Sequence, residues 1–104
     1  MISHKTIDRI NAEQDRLIAG KLRRNPGLLR LARNNLRRWS ARDGRRVRPA
    51  FVEWSAILSR LTRAEIAEFL GSDTLMARRL RQSSPFAGAL SDAERRRIWR
   101  HEAA

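Results

Sequence analysis

The chain has 104 residues and a formal net charge of +12, from 23 Lys and Arg against 11 Asp and Glu. That length fits one ordinary domain with a modest core. The absence of cysteine excludes disulfides and thiolate metal sites, and no apolar run approaches the roughly 18 residues that a membrane span needs.

The hydrophobic residues, 41% of the chain, are mostly Leu, Ile and Ala, and there is no Tyr. This composition favours helices over strands. The expected fold class is all-α, a single compact domain of five to six short helices. Ser3 is placed to cap a first helix over residues 3–23, where Ile7, Ile10, Leu17 and Ile18 recur near helical spacing. Gln14 and Lys21 interrupt that stripe and Gly20 weakens it. Residues 1–24 are therefore expected to form an N-terminal helix, extended from or only partly packed on a helical core domain of residues 25–104.

Asn25-Pro26-Gly27 breaks the chain and restarts it. The clearest helix follows over residues 26–41. At about 100° per residue, Leu28, Leu29, Leu31, Ala32, Leu36 and Trp39 fall on one side and Arg30, Arg33, Asn34, Arg37 and Arg38 on the other. Asp43-Gly44 ends it, and Arg45, Arg46 and Arg48 form a basic loop. Pro49 starts a third helix over residues 49–60, with Phe51, Trp54, Ile57, Leu58 and Leu61 on one face. The stripes assign Trp39 and Trp54 to the core.

Thr62 and Glu65 form a capping-box pattern that opens a fourth helix, which Gly71 ends. Ser72 or Asp73 is expected to cap a fifth helix over residues 73–82. Residues 83–88 read as an irregular link. Ser91 and Glu94 repeat the capping-box pattern before a last helix over residues 92–102. In that helix Ile98 and Trp99 share a face with Arg95, and Arg96, Arg97 and Arg100 spread around the rest. Trp99 is expected to fold back onto the core. The core itself is expected from residues 26–41, 49–60 and 62–82.

Positive charge is unevenly placed. Residues 16–52 hold twelve basic groups and one acid, Asp43, whereas residues 53–104 hold nine basic and seven acidic groups. Of the basic residues 21 are Arg and 2 are Lys. Guanidinium groups pair bidentately with carboxylate and phosphate and are less strongly hydrated than ammonium. A GC-rich genome and a solvated surface are the alternative explanation of the arginine total, and explain the clustering less well. The cluster implies an acidic partner: nucleic acid, an anionic protein surface or a membrane surface.

Few residues suggest chemistry. His4 and His101 lie near the two termini with no motif around them. Glu65 and Glu68 are close enough to pair, but Glu65 is the capping-box partner. No phosphate loop, dinucleotide fingerprint or metal-ligand cluster is present, and Ser83 and Ser84 have no identifiable base. A binding protein is expected rather than an enzyme, with no catalytic residue, cofactor or metal. The N-terminus lacks the charged-then-apolar layout of a secretory leader, so a cytoplasmic location is expected and membrane binding is not.

The segment "TRAEIAEFLGSDTLMARRLRQ", Thr62 to Gln82, has helix-turn-helix features. Gly71 lies four residues after Ala67, and Ala77 and Leu80 fall where a second helix would pack. Thr74, Arg78, Arg79 and Gln82 would then face a DNA groove. Ser72 stands where an aliphatic residue usually seals the turn, and Asp73 would repel phosphate.

A family resemblance enters through "RRLRQSSPFAGALSDAERRRIWR", Arg78 to Arg100, with "LARNNLRRW" and "EWSAIL" before it. Together these stretches resemble small bacterial antitoxin-like proteins encoded beside toxin partners, including nucleotidyltransferase-type toxins. The resemblance covers roughly residues 21–102, and the first helix has no counterpart. It implies a chain that binds and inhibits a cognate partner with an acidic or nucleotide-handling surface, and that in some cases represses its own operon. Under that reading Arg78, Arg79, Arg81, Arg96 and Trp99 are the candidate partner contacts. Arg30, Arg33, Arg37, Arg45, Arg46 and Arg48 form a second candidate face, for nucleic acid or an acidic protein surface. The alternatives are a DNA-binding regulator using residues 62–82 and a basic RNA-associated structural protein. A homo-oligomer is compatible with any of them.

Overall fold

Local chemistry sets each helix boundary in the computed structural model, which describes residues 2–104. Helix α1 (His4–Arg24) starts where the Ser3 side chain accepts the Thr6 amide, and Lys21, Arg23 and Arg24 in its last turn complement the helix dipole. Helix α2 (Gly27–Asp43) begins after Asn25, whose side-chain oxygen accepts the Gly27 amide at 2.9 Å. It stops at Gly44, where φ is +65°, a conformation that favours glycine. The Asp43 carboxylate accepts the Arg48 amide at 3.0 Å and so closes the basic loop. Pro49 then occupies the first turn of α3 (Pro49–Arg60).

Both capping boxes are formed with both of their hydrogen bonds, Thr62 with Glu65 at α4 (Arg63–Gly71) and Ser91 with Glu94 at α6 (Asp92–Ala103). Helix α5 (Leu75–Arg81) starts later than the sequence suggests. Its cap is Thr74, which accepts the Ala77 amide, while the Ser72 hydroxyl donates back to the Phe69 carbonyl.

The fold is all-α: six helices, with no strand among the described residues. They form one globule of 42 × 31 × 25 Å around one core. That core corrects the expectation for the first helix. Ile18, Ala19 and Leu22 belong to it, Ile10 is buried as well, and α1 packs against α4, α6 and α2. Helix α1 is thus neither extended nor peripheral.

Two charged residues of α1 are compatible with its packing because each meets a partner from elsewhere in the chain. Asp15 is 6% exposed and lies on the buried face, where it receives Arg81 Nε from α5 at 3.0 Å. Arg81 also donates to the Ser72 carbonyl. Lys21, at the edge of the stripe, donates to Glu94 and to the Ala89 carbonyl. Asp15 and Lys21 are thus each tied to a distant part of the chain, whereas Gln14 makes no such tie among the described residues.

Trp54 is the centre of the core, as its stripe predicts. Its Nε1 donates to the Leu80 carbonyl at 3.0 Å, and its ring meets Phe69 and Phe86 edge-on. Trp39 is only half-buried, against Phe51 with 5.6 Å between ring centroids. Helix α6 buries no residue fully; Ile98 packs on the core and Trp99 is 40% exposed. Trp99 therefore does not fold back as expected. The helix is held to α1 by Lys21–Glu94 and by Arg9–Glu102 at 3.2 Å.

The link between α5 and α6 is fastened to α2. Buried Asn35 donates from Nδ2 to the Pro85 carbonyl at 2.8 Å and the Ala87 carbonyl at 3.0 Å, and Arg38 donates to its Oδ1. Asn35→Ala strips partners from these carbonyls and is expected to destabilise the fold by about 1–3 kcal/mol. Urea unfolding measures that loss, and faster amide exchange over residues 83–89 locates it.

Candidate arginine interface

The outer side of α2 follows from its period. Ala32, Asn35 and Leu36 are buried, so Arg30, Arg33 and Arg37 are carried to the opposite face, and all three are exposed. Arg30 and Arg37 are two turns apart, about 10 Å along the helix. Arg37 donates to Asn34 on its own helix, and Arg33 reaches the Leu58 carbonyl on α3 at 3.5 Å. Arg33 and Arg37 edge a shallow groove whose far side carries Ser55 and Ser59 of α3. Arg42, Arg45 and Arg46 are exposed at and beyond the end of α2, but the helical period turns Arg42 away from this face, toward the side of Asn35 and the link after α5.

The two candidate sets differ in electrostatics. Among the described residues, Arg30, Arg33, Arg37, Arg45 and Arg46 pair with no carboxylate. Arg48 is engaged: it pairs with Asp43 at 3.3 Å, and its guanidinium lies over the Phe51 ring, 5.2 Å from the centroid.

In the C-terminal set, Arg78 makes a bidentate pair with Asp73 at 2.8 and 2.9 Å, and Arg79 makes another with Glu53 at 2.7 and 3.0 Å. These guanidinium groups hold the Asp73 and Glu53 carboxyls below the usual carboxylate range, chiefly by hydrogen bonding. Arg81, its side chain 10% exposed, is enclosed with Asp15 and ties α5 to α1. Arg96 and Trp99 remain exposed on α6, beside Asp92, Arg95 and Arg100.

The structure thus splits the sequence-derived C-terminal group. Arg78, Arg79 and Arg81 lie on or near a groove between α1 and α5, with Asp8 and Asp73 among its lining residues. Arg96 and Trp99 stand apart on α6. Periodicity alone misses Arg42, which lies opposite Arg33 on the helix and lines a cleft with Trp39, Asp43 and the link after α5. Helix α5 has seven residues, and Thr74, expected in a DNA groove, is its cap.

No protein-family model, curated protein or solved structure matches this chain. No helix is long and apolar enough to cross a membrane. Among the described residues, no three His, Asp or Glu side chains gather into a possible metal site.

Proposed function

We propose that this chain is an antitoxin-like binding protein. It covers an acidic, nucleotide-handling surface on a partner protein with the arginine face of α2 and the 44–48 loop. The supporting observation is the contrast in pairing: among the described residues Arg30, Arg33, Arg37, Arg45 and Arg46 are exposed with no carboxylate partner, while Arg78, Arg79 and Arg81, though not Arg96, are already matched. An unmatched guanidinium keeps its charge-assisted hydrogen bonds for an external carboxylate, and a row of them steers an acidic surface into register. A partner site lined with metal-binding carboxylates has the complementary chemistry. Inhibition needs no reaction on this chain; occluding the partner's site suffices.

Co-expression with an acidic protein encoded beside this chain tests the proposal. Copurification is expected, with growth arrest when that protein is expressed alone and relief when both are present. Independent elution and unrelieved arrest overturn it. Protection of a palindromic DNA site near the gene, persisting at moderate salt, would move the function to DNA regulation; binding to arbitrary duplex lost at moderate salt reports only net charge.

A further inference from the structure

One cleft joins stretches that are far apart in sequence. It has a volume of about 420 Å³ and lies between the end of α2, the start of α3 and the link after α5. That size is within the range of sites that hold a compact organic group. Trp39 supplies a half-buried aromatic wall backed by the buried Phe51 ring, and Gln82 and Ser83 supply an amide and a hydroxyl from the link. The link is not a loose wall, because Asn35 holds its Pro85 and Ala87 carbonyls.

The charges around the cleft are ordered. Inside it, Asp43 neutralises Arg48, and the Asp43 side chain is only 11% exposed. Arg42 lines the cleft with no carboxylate partner among the described residues, and Arg45 and Arg46 belong to the adjoining loop. An enclosed carboxylate disfavours a phosphate dianion in the cleft. An aromatic pocket with arginines beside it suits an apolar anchor flanked by acids, the arrangement that concentrates binding energy in protein interfaces.

We infer that this cleft seats one aromatic or large aliphatic side chain from an acidic peptide segment of a protein partner, with the flanking carboxylates on Arg42, Arg45 and Arg46. The inference deepens the proposed function and rests on its acidic protein partner. It supplies what the α2 face lacks: a contact that reads side-chain shape as well as charge.

Labelled synthetic peptides and the isolated full chain give the test, so its outcome is separate from copurification of any partner. The probes are Asp-Glu-Phe-Glu-Asp, the same peptide with Ser in place of Phe, and a thymidine oligonucleotide of equal charge. Fluorescence anisotropy is expected to show the Phe peptide bound about 10-fold more tightly than the Ser peptide, as burial of one aromatic anchor implies. Ser83→Trp, which fills the cleft, is expected to abolish that preference, with helical circular dichroism unchanged. Arg42→Ala is expected to weaken both peptides by about 2- to 5-fold.

Equal binding of the two peptides by the wild-type chain overturns the inference, as does tighter binding of the oligonucleotide than of both. A Phe preference that survives in folded S83W places the anchor elsewhere and also overturns it. If S83W does not fold, chemical-shift mapping of the Phe peptide on the wild-type chain decides: shifts at Trp39 and Ser83 support the cleft, and shifts confined to other residues refute it. A Phe preference without copurification of the neighbour-encoded protein leaves the cleft in place and removes the antitoxin-like reading.

Discussion

Asp15→Ala is expected to lower the stability of the fold by about 3–5 kcal/mol, because it leaves the enclosed Arg81 guanidinium without its counter-charge. The two side chains are 8% and 10% exposed, so water cannot replace the lost partner as it would at the surface. The contrast is the double variant Asp15→Leu/Arg81→Met. Removing both charges together also removes both desolvation costs, and the expected result lies between no change and a gain of about 1–4 kcal/mol. Urea denaturation of the wild type, single and double variants measures both. A single variant as stable as wild type would show that the pair is not enclosed in solution.

The same pair predicts a pH dependence. Burial pushes the Asp15 carboxyl up to about 6 from 3.8, against the pull of Arg81. Between those values the folded chain holds this proton more tightly than the unfolded chain. The Asp15 contribution therefore declines as pH rises through that window and is flat above it. Glu94 acts in the opposite sense. The Lys21 hydrogen bond, and then the Ser91 amide, hold its carboxyl down at about 2. Its contribution is present above the ordinary carboxylate range and is lost as pH falls toward 2. Asp15→Asn is expected to remove the decline of stability between about pH 4 and 6 and to leave the loss at lower pH intact. Thermal unfolding across pH reads both effects; an unchanged slope between pH 4 and 6 in the variant would refute the assignment.

The second large effect concerns binding. Arg30→Glu/Arg33→Glu/Arg37→Glu is expected to weaken the proposed acidic partner by about 100-fold or more, since like charges set against each other cost several kcal/mol. Stability should stay within roughly 0.5 kcal/mol for each site, because the three side chains are exposed. Much of the loss is expected in the association rate, and the wild-type rate should fall steeply with salt. Arg78→Ala/Arg79→Ala is the control. Those arginines are already paired with Asp73 and Glu53, so partner affinity should change little. The reverse pattern, with binding lost in the control and kept in the triple variant, would move the interface to α5. Surface plasmon resonance with the copurified partner, at two salt concentrations, distinguishes these outcomes.

Much of the fold is legible in the sequence because its signals are local. A capping box uses atoms three residues apart, so Thr62–Glu65 and Ser91–Glu94 announce two helix starts by themselves. The period of α2 separates its buried face from its arginine face, and Gly44 marks where the helix must stop. The sequence by itself therefore determined the helix order, the α2 arginine stripe and the burial of Trp54. It did not determine which arginines are free. Arg78, Arg81 and Arg30 carry the same group, and only tertiary structure pairs Arg81 with Asp15, 66 positions away, and leaves Arg30 without a carboxylate among the described residues.

Tertiary structure also placed α1. A helical stripe is recognised by its apolar members, so a polar residue on the buried face reads as a defect. Asp15 occupies such a position because a guanidinium from α5 meets it there, and the edge residue Lys21 has a carboxylate from α6. The relation that makes those residues compatible with packing is a distance in space, which helical period along the chain does not encode.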